Sequence, residues 1–130
     1  YAAEFLRGLV DPADREIIVF SIRSHEAFRD SEPAPTAEAG LVSGALYDAD
    51  KFRWGPDNFT DTVWDMAESM RIDPAMIIER YEEGVRGIVR IRDTFRTGTG
   101  RQYGPDFIDR GLAIGERLVA RLRENMDGLS

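Results

Sequence analysis

Asp11-Pro12-Ala13-Asp14-Arg15-Glu16-Ile17-Ile18-Val19-Phe20-Ser21-Ile22-Arg23-Ser24-His25-Glu26 is the stretch on which the fold turns. Its β-branched run Ile17-Ile18-Val19 would suit a strand. The residues before it argue otherwise. Asp11 can cap a helix, Pro12 fits a first turn, and Asp14 favours the positive end of a helix dipole. Ile18, Ile22 and His25 then fall at i, i+4 and i+7, one face of a helix. The reading is a helix running to about Glu26.

The same signals recur outward from this stretch. Asp30-Ser31-Glu32-Pro33-Ala34-Pro35 is a loop, because two closely spaced prolines exclude helix. Thr36 caps a second helix with Leu41, Val42, Ala45 and Ala49 on its apolar side. Gly55-Pro56-Asp57-Asn58 punctuates its end, and Phe59 to Met70 forms a short helix carrying Val63, Trp64, Ala67 and Met70. Asp73-Pro74 repeats the start signal and opens a helix to about Phe95. Its stripe is Ile77, Tyr81, Val85, Ile88 and Phe95, with Gly84 and Gly87 allowing close approach of a neighbour. Thr97-Gly98-Thr99-Gly100 reads as a turn, too short for a phosphate-cradling loop. Pro105 begins a last helix with Ile108, Gly111, Gly115, Leu118 and Leu122 inward. No segment sustains period-two alternation. The expected fold is all-α, a compact bundle of about six helices in one domain spanning residues 1–130.

The composition, 42% hydrophobic and 32% charged, is that of a globular chain. No apolar run approaches the ~18 residues of a membrane span, so no membrane association is expected and a cytoplasmic location is. Tyr1 stands first and the residues after it already read as helix, so the natural start is expected to have been removed. Cysteine is absent, which removes disulfides and thiolate chemistry. The net charge is −7, and acidic residues interleave with the arginines at 86, 90, 92, 117, 121 and 123. A nucleic-acid polymer is therefore not an expected partner.

Chemistry concentrates in two places. His25 is the one histidine, and about two dozen residues later comes Leu46-Tyr47-Asp48-Ala49-Asp50-Lys51-Phe52. A lone histidine on an apolar face is commonly a hydrogen-bonded core residue. Asp48 and Asp50 lie ~200° apart at 100° per helical residue, so both cannot address one ion if the helix continues through them. Both flank the Ala45–Ala49 stripe at similar angles, and either could be a solvent-facing helix terminus. Lys51 and Arg101 are candidate phosphate contacts or, equally, surface cations. Tyr47, Trp54 and Phe59 read as core or pocket wall.

Ile22-Arg23-Ser24-His25 followed by Ala49-Asp50-Lys51-Phe52 resembles the second half of the HD-domain metal-dependent phosphohydrolases. Members of that family look like a first His, an adjacent His-Asp pair, a later His after Ile-X-X, and an Asp in an Ala-Asp-Lys/Arg-Leu-like stretch. Thr36-Ala37-Glu38-Ala39 and Phe95-Arg96-Thr97-Gly98-Thr99-Gly100-Arg101 are similar too, so the likeness runs from about Tyr1 to Leu122. The first His and the His-Asp pair would lie before Tyr1.

The resemblance implies a divalent metal of the Mn, Fe, Mg, Co or Ni class, with Asp50 as the ligand in the Ala-Asp-Lys step. Asp48 would be a supporting or capping residue, or the ligand if the register shifts. His25 would line the pocket, acting on substrate phosphate or holding a second metal, with Lys51 and Arg101 near the phosphate. Such a metal acidifies a bound water and polarises a phosphoryl oxygen. The expected substrate is a nucleotide or other small phosphate ester, and a homo-oligomer is compatible with the reading. In this chain alone the metal is expected to be weakly held or absent, and the fragment inactive. The competing expectation is a non-catalytic helical module that keeps the HD packing and binds a ligand or a protein.

Overall fold

Three helices begin where their capping residues predict. The Asp11 carboxylate accepts from the Ala13 N–H at 3.0 Å, Thr36 Oγ1 from Ala39 at 3.1 Å and Asp73 from Ala75 at 2.9 Å. Each satisfies a donor that the first helical turn leaves open. The computed structural model describes residues 1–26 and 32–127, so Asp30 and Ser31 of the expected proline loop lie outside the described residues. The described residues form α1 (Ala2–Phe5), α2 (Pro12–Ser24), α3 (Ala37–Phe52), a π-helical turn (Asn58–Thr62), α4 (Val63–Met70), α5 (Pro74–Ile91) and α6 (Gly98–Asp127). Among them there is no strand, only an isolated bridge between Arg7 and Val10. The all-α expectation holds.

The last helix starts earlier than its sequence suggests. Gly98-Thr99-Gly100 is its first turn rather than a break, and Pro105 lies inside it. A proline inside a helix removes one ladder bond and crowds the carbonyl four residues back, so Pro105 is a local cost that the packing of α6 overrides. Gly100, Gly104, Ile108, Gly111, Gly115 and Val119 form one fully buried stripe along α6. Its glycines are demanded by what lies against them. A Cβ on Gly104 would stand 2.2 Å from the Phe95 ring, on Gly111 2.6 Å from the Gly55 backbone, and on Gly115 2.6 Å from the Phe59 ring. The long helix is thus the spine for α3, α5 and the π-helical turn, while α2 packs on α3 and α1 on α2. Phe59, Ile88, Phe95 and Ile108 form the centre of the core. Phe52 packs on Phe95 and Phe107, with ring centroids 5.3 and 5.5 Å apart. At the surface, the Arg92 guanidinium grips the Asp109 carboxylate through two hydrogen bonds and ties the end of α5 to α6.

Two helices turn a different face inward from the one their apolar residues mark. On α3, Leu41, Val42, Ala45 and Ala49 are exposed, while Ala39, Ser43, Gly44, Tyr47, Asp48 and Lys51 are buried. On α2, Ile22 is exposed and Ser21 and Ser24 are buried. Small side chains let the two helices approach closely, and Ser21 returns its hydroxyl proton to its own helix at the Ile17 carbonyl, 2.8 Å away. The polar half of α3 is drawn inward by partners described below. Helix α5 ends at Ile91, short of Phe95, which leaves residues 92–97 as a link. Gly84 has nothing within 4 Å of its would-be Cβ, so no neighbour makes the close approach expected there.

Candidate functional site

Tyr47, Asp48 and Lys51 stand at i, i+1 and i+4 on α3 and therefore share one side. The link from Thr94 to Thr97 lies across that side. The Asp48 carboxylate is 3% exposed. It accepts the backbone N–H of Arg96 at 2.7 Å, that of Thr97 at 2.8 Å and the Thr97 hydroxyl at 2.6 Å. The Thr97 oxygen in turn accepts the Gly100 N–H at 2.9 Å. A carboxylate thus sits at the positive end of a 30-residue helix and takes the two backbone donors just before its first turn. Gly100 is needed here, since a Cβ would lie 2.1 Å from the Asp48 oxygen.

Lys51 is completely buried. Its ammonium donates to Thr94 Oγ1 and lies 3.8 Å from the Tyr47 ring centroid and 4.6 Å from that of Phe95. The Thr94 hydroxyl gives its own proton to the Ile91 carbonyl at 2.9 Å, so at the 2.8 Å contact it is Tyr47 that donates. Burial pushes the Lys51 pKa below its ordinary value, partly opposed by Tyr47 and Asp48. The surface-cation reading of Lys51 is therefore corrected. Arg96 completes the cluster: its guanidinium carbon is 3.5 Å from the Tyr47 centroid and it donates to the Ser24 carbonyl at 3.1 Å. A cation at the last turn of α2 suits the negative end of that dipole. Arg96 thereby fastens α2, α3 and the entry of α6 together.

The other expected residues sit apart from this knot. Asp50, on the other side of α3, is half-exposed and pairs with Arg53 at 3.5 Å. His25 caps the end of α2, with Nδ1 2.5 Å from the Ile22 carbonyl. That bond needs the proton on Nδ1, which leaves Nε2 unprotonated in the neutral ring. Arg101 is exposed and donates to the Arg96 carbonyl at 2.6 Å. The structure thus joins Asp48 and Lys51 to one cluster but gives His25 and Asp50 separate partners. Neither of the two main cavities is lined by His25, Asp48 or Asp50. Among the described residues no three His, Asp or Glu side chains converge, so those present do not by themselves make a metal site.

Sequence reasoning missed Thr94, Arg96, Thr97 and Asn58. Thr97 before Gly98 carried a usable sign, a capping residue directly before a helix start. The larger cavity, of about 610 Å³, lies between the π-helical turn, α4, α5 and α6. Trp54 and Phe59 stand in its wall, as their sequence reading allowed, together with Trp64 and Tyr81. No helix is long and apolar enough to cross a membrane among the described residues. No family model, curated protein or solved structure matches the chain.

Proposed function

We propose that the chain is the later part of a metal-dependent phosphohydrolase of HD type, acting on a nucleotide or other small phosphate ester, with Asp50 as the ligand it contributes. One observation carries the choice of Asp50. Val42, Leu46 and Asp50 stand at i, i+4 and i+8, so an exposed apolar stripe on α3 runs into a half-exposed carboxylate. An apolar face ending in a carboxylate suits a surface that other helices cover, bringing further ligands to the same point. Asp48 is turned inward and its oxygens are committed to the start of α6. His25 offers Nε2 to a proton and, once it carries one, can donate to a phosphate oxygen, and Arg101 is the surface cation for the anion. Two donors are too few to hold an ion, so no reaction step is assigned to this chain alone.

The test is a chain extended upstream through a first His and a His-Asp pair, assayed on a panel of small phosphate esters with Mn²⁺, Mg²⁺, Co²⁺ or Ni²⁺. Turnover of at least one ester is expected, and Asp50→Ala should abolish it. An inert extended chain would leave the second reading, a non-catalytic binding module, which the large cavity favours.

A further inference from the structure

Asn58 is one of three buried polar residues, with Ser24 and Ser43, whose side chains make no hydrogen bond among the described residues, and it is the one of them that lines the large cavity. It is 5% exposed and stands at the start of the π-helical turn, where its backbone N–H reaches the Gly55 carbonyl at 3.1 Å. Its side-chain amide makes no hydrogen bond among the described residues, and it lines the large cavity. No buried side-chain nitrogen or oxygen among the described residues lacks a partner, so the unpaired Asn58 amide opens onto the cavity, where a bound group can meet it. The surrounding wall is apolar: Trp54, Phe59, Trp64, Met76, Ile77 and Leu118. A cavity of about 610 Å³ with apolar walls and few polar groups has the size and character of a small-molecule site.

Two further features bear on what the open space could take. Gly84 lines the cavity in the middle of α5, and a Cβ there would meet nothing within 4 Å. Glycine weakens a helix interior, and here no packed neighbour requires it. What a larger side chain would do is fill the cavity. Arg80 and Arg90 also line it, and no carboxylate pairs with either among the described residues. Glu83 is the one carboxylate in the same wall, so the charged lining is net positive in a chain of net charge −7, and an arginine at either end of it favours an anionic head.

We propose that the cavity between the π-helical turn, α4, α5 and α6 binds an apolar organic acid. Its aliphatic or aromatic body fills the space between Trp54, Trp64 and Tyr81. Its oxygens take the Asn58 amide and an arginine at the mouth. This site is separate from Asp50 and stands whether or not the phosphohydrolase reading does.

The chain reports on the site itself, because its only two tryptophans, Trp54 and Trp64, both line it. Dodecanoate titrated into the protein below its micellar concentration should give a saturable, one-to-one change in tryptophan fluorescence. Gly84→Leu should abolish that change while leaving the far-ultraviolet circular dichroism intact and the melting temperature no lower. Asn58→Leu should weaken binding about tenfold, the loss of one buried hydrogen bond. Dodecyltrimethylammonium, with the same tail and opposite charge, should bind less tightly. A fluorescence signal that does not saturate, or that survives in folded Gly84→Leu, overturns the proposal. Equal binding of the cationic amphiphile overturns the acid head. A wild-type dimer that Gly84→Leu converts to monomer, without dodecanoate binding, assigns the face to a second copy of the chain instead.

Discussion

Asp48 and Thr97 are joined twice, the carboxylate accepting both the backbone N–H and the side-chain hydroxyl of the threonine at 2.8 and 2.6 Å. The pair lies 49 positions apart in the chain. It decides where α6 begins, and through Arg96 it decides how α2 and α3 meet that helix. Asp48→Ala would leave the N–H groups of Arg96 and Thr97 buried without an acceptor. A loss of about 2–4 kcal/mol is expected in urea unfolding, from several charge-assisted bonds broken at once. Gly100→Ala should also destabilise, because its methyl would meet the Asp48 oxygen at 2.1 Å. In the double variant the clash is gone, so the two losses should add to less than their sum.

Lys51 gives the fold a pH dependence of definite sign. Burial lowers its pKa in the folded state, so between that value and the unfolded value of about 10.4 the unfolded chain binds more protons. The Lys51 contribution to stability therefore rises with pH through this window and levels off above it. Lys51→Met lacks the group and should lack the slope. The check is the difference in unfolding free energy between the two proteins, followed from pH 7 to 10.5. A flat difference would show that burial does not move the Lys51 pKa, and a slope of the opposite sign that the ammonium is better stabilised inside than in water.

Two glycines in helices should answer oppositely to alanine. Gly84→Ala meets no atom within 4 Å and should stabilise by about 0.5–1 kcal/mol through helix propensity alone. Gly111→Ala places a methyl 2.6 Å from the Gly55 backbone, which cannot rotate away as a side chain can. Overpacking of that kind costs about 1–3 kcal/mol or more. Thermal melts of the two variants decide it: the first should melt above the parent chain and the second below.

Helix starts at Asp11, Thr36 and Asp73 were legible because capping is a local bargain between a side chain and a donor two or three residues on. The face that each helix buries was less so. Periodicity assumes that apolar means inward, and α3 reverses the rule: Lys51 and Asp48 are buried because Thr94, Arg96 and Thr97, more than forty residues away in sequence, supply partners. The start of α6 was misplaced for the same reason. Gly98 and Gly100 read as breakers until the carboxylate against Gly100 is seen. Of the site residues, Asp48 as a capping group was among the readings that the sequence left open. Nothing local distinguished it from Asp50, since both flank the same stripe at similar angles.

That ambiguity yields the sharpest test, because the two aspartates should fail in different ways. In a chain extended upstream to carry the first His and the His-Asp pair, Asp50→Ala should leave the melting temperature nearly unchanged. Its carboxylate is half-exposed and its pairing with Arg53 at 3.5 Å spans one helical turn, an arrangement that contributes little to stability. Metal content and phosphoesterase turnover should fall together, by several orders of magnitude in rate, since ligands of one ion act as a unit. Asp48→Ala should lower the melting temperature first, and lose metal and turnover only as far as the fold loosens. Residues 1–130 alone should show neither tightly held metal nor turnover above background. If Asp48→Ala instead strips the metal from a fully stable protein while Asp50→Ala is silent, the ligand is Asp48 and the register of the resemblance moves by two residues.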